Sequence, residues 1–153
     1  MDIFEGQAKS IERAAQWLAH SIGATAVDRL DWKPKADEKS DTMNVREIAT
    51  QVIGGNYMIA GVLKGEAPSR GDGPAPATAE DAQRMVLESA KSVADVVRSA
   101  DPAILGKVFE TPMGQLPGVA LMQMPAIHMD YHNGQINLIQ RLYGDVEMHF
   151  PAR

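Results

Sequence analysis

The hydrophobic positions of this chain recur mainly at helical spacing. Across residues 3–28, apolar side chains return every three or four positions, which places them on one side of a helix with 3.6 residues per turn. This stripe consists of Phe4, Ala8, Ile11, Ala15, Leu18 and Ile22. We therefore predict a first helix over residues 3–28 with one buried face.

A second helix is predicted after a polar connection. Residues 31–43 contain a proline and mixed charges without apolar periodicity, which is typical of a loop. Asn44 followed by Glu47 fits a capping box, in which each side chain bonds to the other residue's backbone amide. The helix is predicted to run to about Lys64. Its expected inward stripe is Val45, Ile48, Val52, Ile59 and Leu63.

Glycine and proline mark the next part of the chain. Gly54, Gly55 and Gly61 lower the helix propensity of the second helix, and we attribute them to close approach of a neighbouring helix. Residues 65–77 contain three prolines and three glycines, which prevent regular structure. We expect this segment to cross one end of a helix bundle and to overhang the mouth of a pocket.

The third helix is predicted to begin at Thr78, with Asp81 three residues later, and to end near Ala100 before Asp-Pro. Its apolar positions are Met85, Val86, Leu87, Val93, Val96 and Val97. Residues 103–117 are compatible with either a short helix or a small hairpin.

The fourth helix is predicted from Pro117 to Gly144, since proline favours the first turn and glycine favours the C-terminal end. A helical wheel predicts a polar arc facing water, made of Gln123, Asp130, Asn133, Asn137, Gln140 and Arg141. It predicts an inward arc made of Leu121, Met124, Tyr131, Ile136, Leu138, Ile139 and Leu142. His128 and His132 lie near the centre of that inward arc, so both are expected to point at the core.

Four long helices predict an all-α fold, and a chain of 153 residues is suited to one core. We therefore expect a single domain over residues 1–153. The composition, with 44% hydrophobic and 23% charged residues, is typical of globular proteins. No repeat, heptad series or apolar run of membrane-spanning length is present.

The net charge and the N-terminal sequence indicate which kinds of partner and which cellular location to expect. The net charge of -5 argues against binding to nucleic acid or to anionic membranes, both of which attract clustered lysine and arginine. The N-terminal residues show no secretory signal, so we expect a cytoplasmic protein with a small-molecule substrate or ligand.

His128 and His132 are the main candidate ligands. Imidazoles one helical turn apart can both reach one divalent ion, whereas a single inward histidine is more often a neutral core residue bonded to a carbonyl or water. Both interpretations stay open for the pair. Because the chain contains no cysteine, any metal must be held by nitrogen and oxygen atoms. His20 is expected on the surface, and His149 is given no role.

A further ligand would have to come from another helix. Gln51 and, one turn earlier, Glu47 border the inward stripe of the second helix. A carboxylate with two histidines suits zinc, nickel or iron, whereas a glutamine coordinates only through a neutral oxygen. Gln51 is equally compatible with a hydrogen bond across the bundle, and Glu47 is also expected in the capping box.

Several segments together resemble the DinB/YfiT-like family of metalloenzymes, and the resemblance extends over most of the chain. They are His128-Met-Asp-Tyr-His132-Asn-Gly-Gln-Ile136, Leu30-Asp-Trp-Lys-Pro34, Asn44-Val-Arg-Glu-Ile48 and Leu142-Tyr-Gly144. The resemblance implies a four-helix bundle of up-up-down-down topology, often paired as a homodimer. It also implies a divalent ion, usually nickel or zinc, held by three histidines, of which two match His128 and His132.

The third ligand position of the family falls on Gln51, which replaces its usual histidine, and Asn133 stands where arginine is common. Gln135 matches the family pattern, and we assign it with Tyr131 to the pocket. Relatives include transferases that use a low-molecular-weight thiol, which here would have to be exogenous. Two functions remain open: a metal-dependent enzyme of the thiol-dependent transferase or hydrolase type, and a noncatalytic bundle whose degenerate metal site serves ligand binding or dimerisation.

Overall fold

The computed structural model of the chain describes residues 2–34, 41–69, 71 and 73–151. This part of the chain is mostly helical. The helices are α1 (Ile3–Gly23), α2 (Val45–Leu63), α3 (Ala79–Arg98) and α4 (Gly118–Leu142). Short 3-10 helices occupy Val27–Arg29 and Pro102–Gly106. The strands β1 (Val108–Thr111) and β2 (Gly114–Pro117) form an antiparallel hairpin in which Val108 pairs with Pro117 and Thr111 with Gly114.

The core lies between the four helices. α1 packs most extensively against α3 and then against α4, while α2 packs against the same two helices. All six apolar positions predicted for the inward stripe of α1 are buried, and so are all but Leu63 of those predicted for α2. On α3, Leu87 is exposed instead of buried, because it lies on the side of the helix that no other element covers.

The predicted starts of two helices are confirmed. The Asn44 side chain accepts a hydrogen bond from the Glu47 amide at 2.8 Å, and the Glu47 carboxylate accepts one from the Asn44 amide at 2.9 Å. This is a complete capping box. Thr78 caps α3 by accepting from the Asp81 amide at 3.1 Å. These caps satisfy amides that have no partner within a helix.

The structure corrects the predicted end of the first helix and settles the alternatives left open for residues 103–117. α1 ends at Gly23 and not near residue 28, because the chain turns at Ala24 and re-forms only a 3-10 helix in which Val27 is 93% exposed. Residues 103–117 contain both predicted alternatives, since a 3-10 helix leads directly into the hairpin.

The orientation predicted for α4 was wrong in part. Tyr131, Leu138 and Leu142 were expected inside, but they are 64%, 58% and 54% exposed. Asn133 and Gln140 were expected to face water, but both are buried. α4 carries apolar residues around most of its circumference, so the pattern alone could not choose the buried side. The observed buried side is centred on Met129, His132, Ile136 and Ile139.

One interhelical contact explains why a glutamine occupies the core side of α4. The Gln140 Nε2 group donates to the Ser21 carbonyl at 2.8 Å and lies 3.3 Å from the Thr25 hydroxyl. A buried amide is tolerated when its donors find acceptors in this way. Among the described residues, no helix combines the length and apolar character needed to cross a membrane.

Candidate functional site

The imidazole rings of His128 and His132 touch each other on α4. Their Nε2 atoms are 2.9 Å apart, which is hydrogen-bonding distance, and their ring centroids are 4.5 Å apart at an interplanar angle of 76°. His132 is buried, as predicted, whereas His128 is only partly buried because it lies at the edge of the buried side. The helical spacing therefore brings the two rings together at the border between the core and an open cleft.

Gln135 fixes the protonation of the pair. Its Oε1 atom accepts from His132 Nδ1 at 2.6 Å, while its Nε2 group donates to the Tyr131 hydroxyl at 3.1 Å. In neutral His132 the proton consequently sits on Nδ1, so its Nε2 atom accepts from His128 Nε2–H. The remaining nitrogen of His128, Nδ1, then carries a lone pair, and this atom faces Gly55 of α2.

Burial keeps both imidazoles neutral. Burial, with a smaller contribution from the adjacent His132, lowers the pKa of His128 to about 4. Burial also lowers the pKa of His132, although the hydrogen bond to Gln135 opposes this effect. Neutral imidazole is the form that ligates a metal ion, so the pair can bind one near neutral pH without first losing protons.

A cleft of ≈ 470 Å³ opens beside His128. α2 supplies one wall and α4 the other, while the hairpin and the connection after α2 close the mouth. The described lining residues are Gln51, Gly54, Gly55, Met58, Ile59, Ser69, Gly71, Pro112, Met113, Met124 and His128. Ser69 and Gly71 belong to residues 65–77, so described residues of the segment expected to overhang a pocket line this cleft.

Gly55 allows α2 to approach His128 closely. A Cβ atom at this position would lie 3.3 Å from His128 Cε1 and 3.4 Å from His128 Nδ1, which is tighter than most Cβ contacts. The close helix approach that we attributed to the glycines is therefore real at Gly55. It places the polar edge of His128 against the backbone of α2, at the inner end of the cleft.

The two residues proposed as a third ligand have different surroundings in the structure. Gln51 is an exposed residue that lines the same cleft as His128. Glu47 instead accepts the Asn44 amide and forms an ion pair with Lys33 at 2.8 Å. Glu47 lines a second cleft with Lys33 and Arg46, which Gln51 also borders. Of the two, it is Gln51 that also lines the cleft of His128. Among the described residues, no group of three histidine, aspartate or glutamate side chains could hold a metal.

Tyr131 and Gln135 lie behind the histidines and not in the cleft. The ring of Tyr131 packs against His132 with centroids 5.2 Å apart, but most of Tyr131 is exposed. Gln135 borders a separate hollow next to Leu138 and Leu142. Their observed contacts orient His132. Of the other histidines, His20 is exposed as predicted, and His149 pairs with Asp145 at 2.7 Å.

Sequence reasoning missed the methionines of the cleft. Met58, Met113 and Met124 come from α2, the hairpin and α4, so no local pattern connects them. The signal that was present is their number, since the chain contains nine methionines and only three phenylalanines. Methionine adapts to irregular apolar surfaces and is frequent where varied ligands bind. The cleft therefore combines an adaptable apolar wall with His128 and Gln51.

Three comparisons with known proteins, against family models, curated proteins and solved structures, find no match to this chain. The resemblance to the DinB/YfiT-like family therefore stays a prediction from the sequence.

Proposed function

We propose that the chain binds a divalent transition-metal ion through His128 and His132, with Gln51 as an oxygen ligand, and acts on a small molecule in the adjoining cleft. The observation that carries this proposal is the convergence of the Nε2 atoms of two neutral imidazoles, 2.9 Å apart beside that cleft. For both to bind one ion, the proton of His128 moves from Nε2 to Nδ1, and the ring stays neutral. Two nitrogens each ~2.05 Å from one ion, at right angles, are themselves ~2.9 Å apart. The spacing of the pair thus fits the right angle between neighbouring ligands of a six-coordinate ion such as nickel, or a distorted zinc site.

The arrangement of the helices supports the bundle topology that we propose with this site. α1 and α2 each pack against both α3 and α4, as in an up-up-down-down four-helix bundle. In such a bundle, cofactor sites are built from side chains on facing helices. Gln51 on α2 and the histidines on α4 line facing walls of this kind.

The chain's own residues would orient the reactants. Gln135 holds the His132 ring through Nδ1, and the cleft beside His128 offers apolar side chains to a bound molecule. A bound divalent ion supplies Lewis acidity, which lowers the pKa of a water molecule or a thiol. Because the chain has no cysteine, a thiol nucleophile would be an exogenous low-molecular-weight cofactor. We propose an electrophilic small molecule as substrate and a transferase or hydrolase reaction, in a protein that works in the cytoplasm.

A noncatalytic ligand-binding bundle is the second candidate. One observation favours it: hydrogen bonds already join the two imidazoles and Gln135, and no hydrogen bond between described residues joins Gln51 to either ring. A polar cluster whose members form hydrogen bonds to one another needs no ion for stability. In that case the cleft would bind a molecule without transforming it.

Metal analysis of protein purified without an affinity tag tests the first proposal. We expect close to one equivalent of nickel or zinc after incubation and dialysis, and a large loss of binding in His128→Ala and His132→Ala. His20→Ala is the matched control, since His20 is an exposed histidine outside the site. Metal content below about a tenth of an equivalent in the parent protein would reject the metal site and leave the noncatalytic function.

A further inference from the structure

The outward side of α4 carries an apolar stripe. It consists of Ile127, Tyr131, Gly134, Leu138 and Leu142, whose spacing of three or four residues keeps them in one line along the helix. The four large side chains are 57%, 64%, 58% and 54% exposed. The stripe lies opposite the buried side of α4 and extends over ~22 Å. We call it the outer stripe.

The outer stripe is symmetric about its own centre. Its midpoint falls between Gly134 and Gln135, so an antiparallel copy of α4 would place Ile127 opposite Leu142 and Tyr131 opposite Leu138. A Cβ atom added at Gly134 would meet nothing within 4 Å, so the centre is open and has the smallest possible side chain. Small residues at the crossing point permit two helices to approach closely, and this symmetry is what a two-fold interface requires.

The charges beside the stripe are complementary under the same pairing. Asp130 and Arg141 are both exposed and flank the same edge of the stripe. In an antiparallel pair related by a two-fold axis, equivalent edges meet, so Asp130 of one copy comes next to Arg141 of the other, twice per pair. Asp130 forms no ion pair with any described residue, whereas Arg141 contacts Met148 Sδ at 3.2 Å and feels the charge of Asp145. Parallel pairing would instead place the two Asp130 edges on opposite sides of the interface, so Asp130 would not meet Arg141.

We propose that the outer stripe is the interface of a homodimer in which two α4 helices pack antiparallel about Gly134. The partner that covers the stripe is a second copy of this chain, because the apolar positions and flanking charges of one copy complement those of another. The proposal is independent of metal binding, since it uses neither imidazole and does not involve the cleft beside His128. It also specifies the register of the interface, which a homodimer expected from family resemblance does not.

Cross-linking tests the register directly, because the parent chain contains no cysteine. We expect a mixture of Ile127→Cys and Leu142→Cys chains to form disulfide-linked or bismaleimide-linked dimers efficiently. Each variant alone should cross-link poorly, because identical residues lie ~22 Å apart in an antiparallel pair. Efficient self-linking of either single variant would overturn the antiparallel register, and no linking in any mixture would overturn the interface.

Sedimentation over micromolar to millimolar concentration tests the interface without a linker. We expect Leu138→Glu to weaken dimerisation at least about tenfold, because it buries a charge in the apolar seam. Leu87→Glu, an exposed leucine of α3, is the matched control and should not change it. Asp130→Arg or Arg141→Asp alone should weaken the dimer, and the double exchange should restore it. A parent protein that is monomeric throughout, or a double exchange without rescue, would refute the proposal, and circular dichroism confirms that each variant folds.

Discussion

At the residue scale, the behaviour of the candidate site depends on which groups surround each imidazole. His132 is buried and bonded through both nitrogens, to Gln135 and to His128. His128 shares that bond and borders the cleft, while its second nitrogen, Nδ1, faces Gly55 of α2. Spacing on the helix predicted that the rings would meet. Gln135, three residues further along the same helix, accepts a hydrogen bond from His132 Nδ1 and thereby sets the tautomers of both rings.

Gln51→His is expected to raise the affinity for nickel or zinc by about tenfold or more, because imidazole is a stronger ligand for these ions than an amide oxygen. Isothermal titration with each metal measures this change. Gln51→Ala is the control, and it should bind no more tightly than the parent protein. If the dissociation constants of Gln51→His and the parent were equal, residue 51 would not face the ion.

At the element scale, the starts of the helices were predictable and the rotation of one helix was not. Capping at Asn44 and Thr78 depends on side chains bonding to amides three residues away, so the sequence contains the whole interaction. The rotation of α4 depends on what covers each of its sides. With apolar residues on both the buried side and the outer stripe, hydrophobic periodicity could not tell which of the two sides is buried.

Gly55 connects the packing of α2 and α4 to the site, and Gly55→Ala tests that connection. The added methyl group must push the His128 ring by a few tenths of an ångström, since the contact would be 3.3 Å. We expect metal affinity to fall severalfold, because ligand geometry tolerates only small displacements. The control is Gly106→Ala, where the methyl group meets nothing within 4 Å and metal affinity should not change. An unchanged affinity in Gly55→Ala would show that the ring shifts without affecting the site.

At the scale of the whole molecule, the buried histidines make the free energy of unfolding depend on pH. The folded state holds the pKa of His128 at about 4, below its ordinary value of 6.5. The unfolded state therefore binds more protons in this interval, so this contribution to stability is complete above about pH 6.5 and is lost as the pH falls towards 4. His132 acts in the same direction.

We expect urea titrations of chelator-treated protein to show a loss of up to about 1.4 kcal/mol of unfolding free energy per pH unit for each such histidine. Carboxylates also titrate in this range, so the test is the difference between variants. His128→Gln should flatten the profile between pH 6.5 and 4 relative to the parent protein. Parallel profiles for the parent and His128→Gln would contradict the burial of His128.

The sequence by itself determined the interactions that act over short separations. It located the four helices, the caps at Asn44 and Thr78, the buried stripe of α1 and the pairing of His128 with His132, because each depends on residues within a few turns. Its absence of cysteine also limits metal ligands to nitrogen and oxygen, apart from methionine sulfur.

Only the tertiary structure decided the interactions between distant segments. It separated Gln51, which shares the cleft of His128, from Glu47, which pairs with Lys33. It also brought methionines from three elements into one wall and placed Tyr131, Leu138 and Leu142 outside. The physical reason is the same in each case: burial is a property of what packs against a residue, and a helix with two apolar sides leaves that choice to its neighbours.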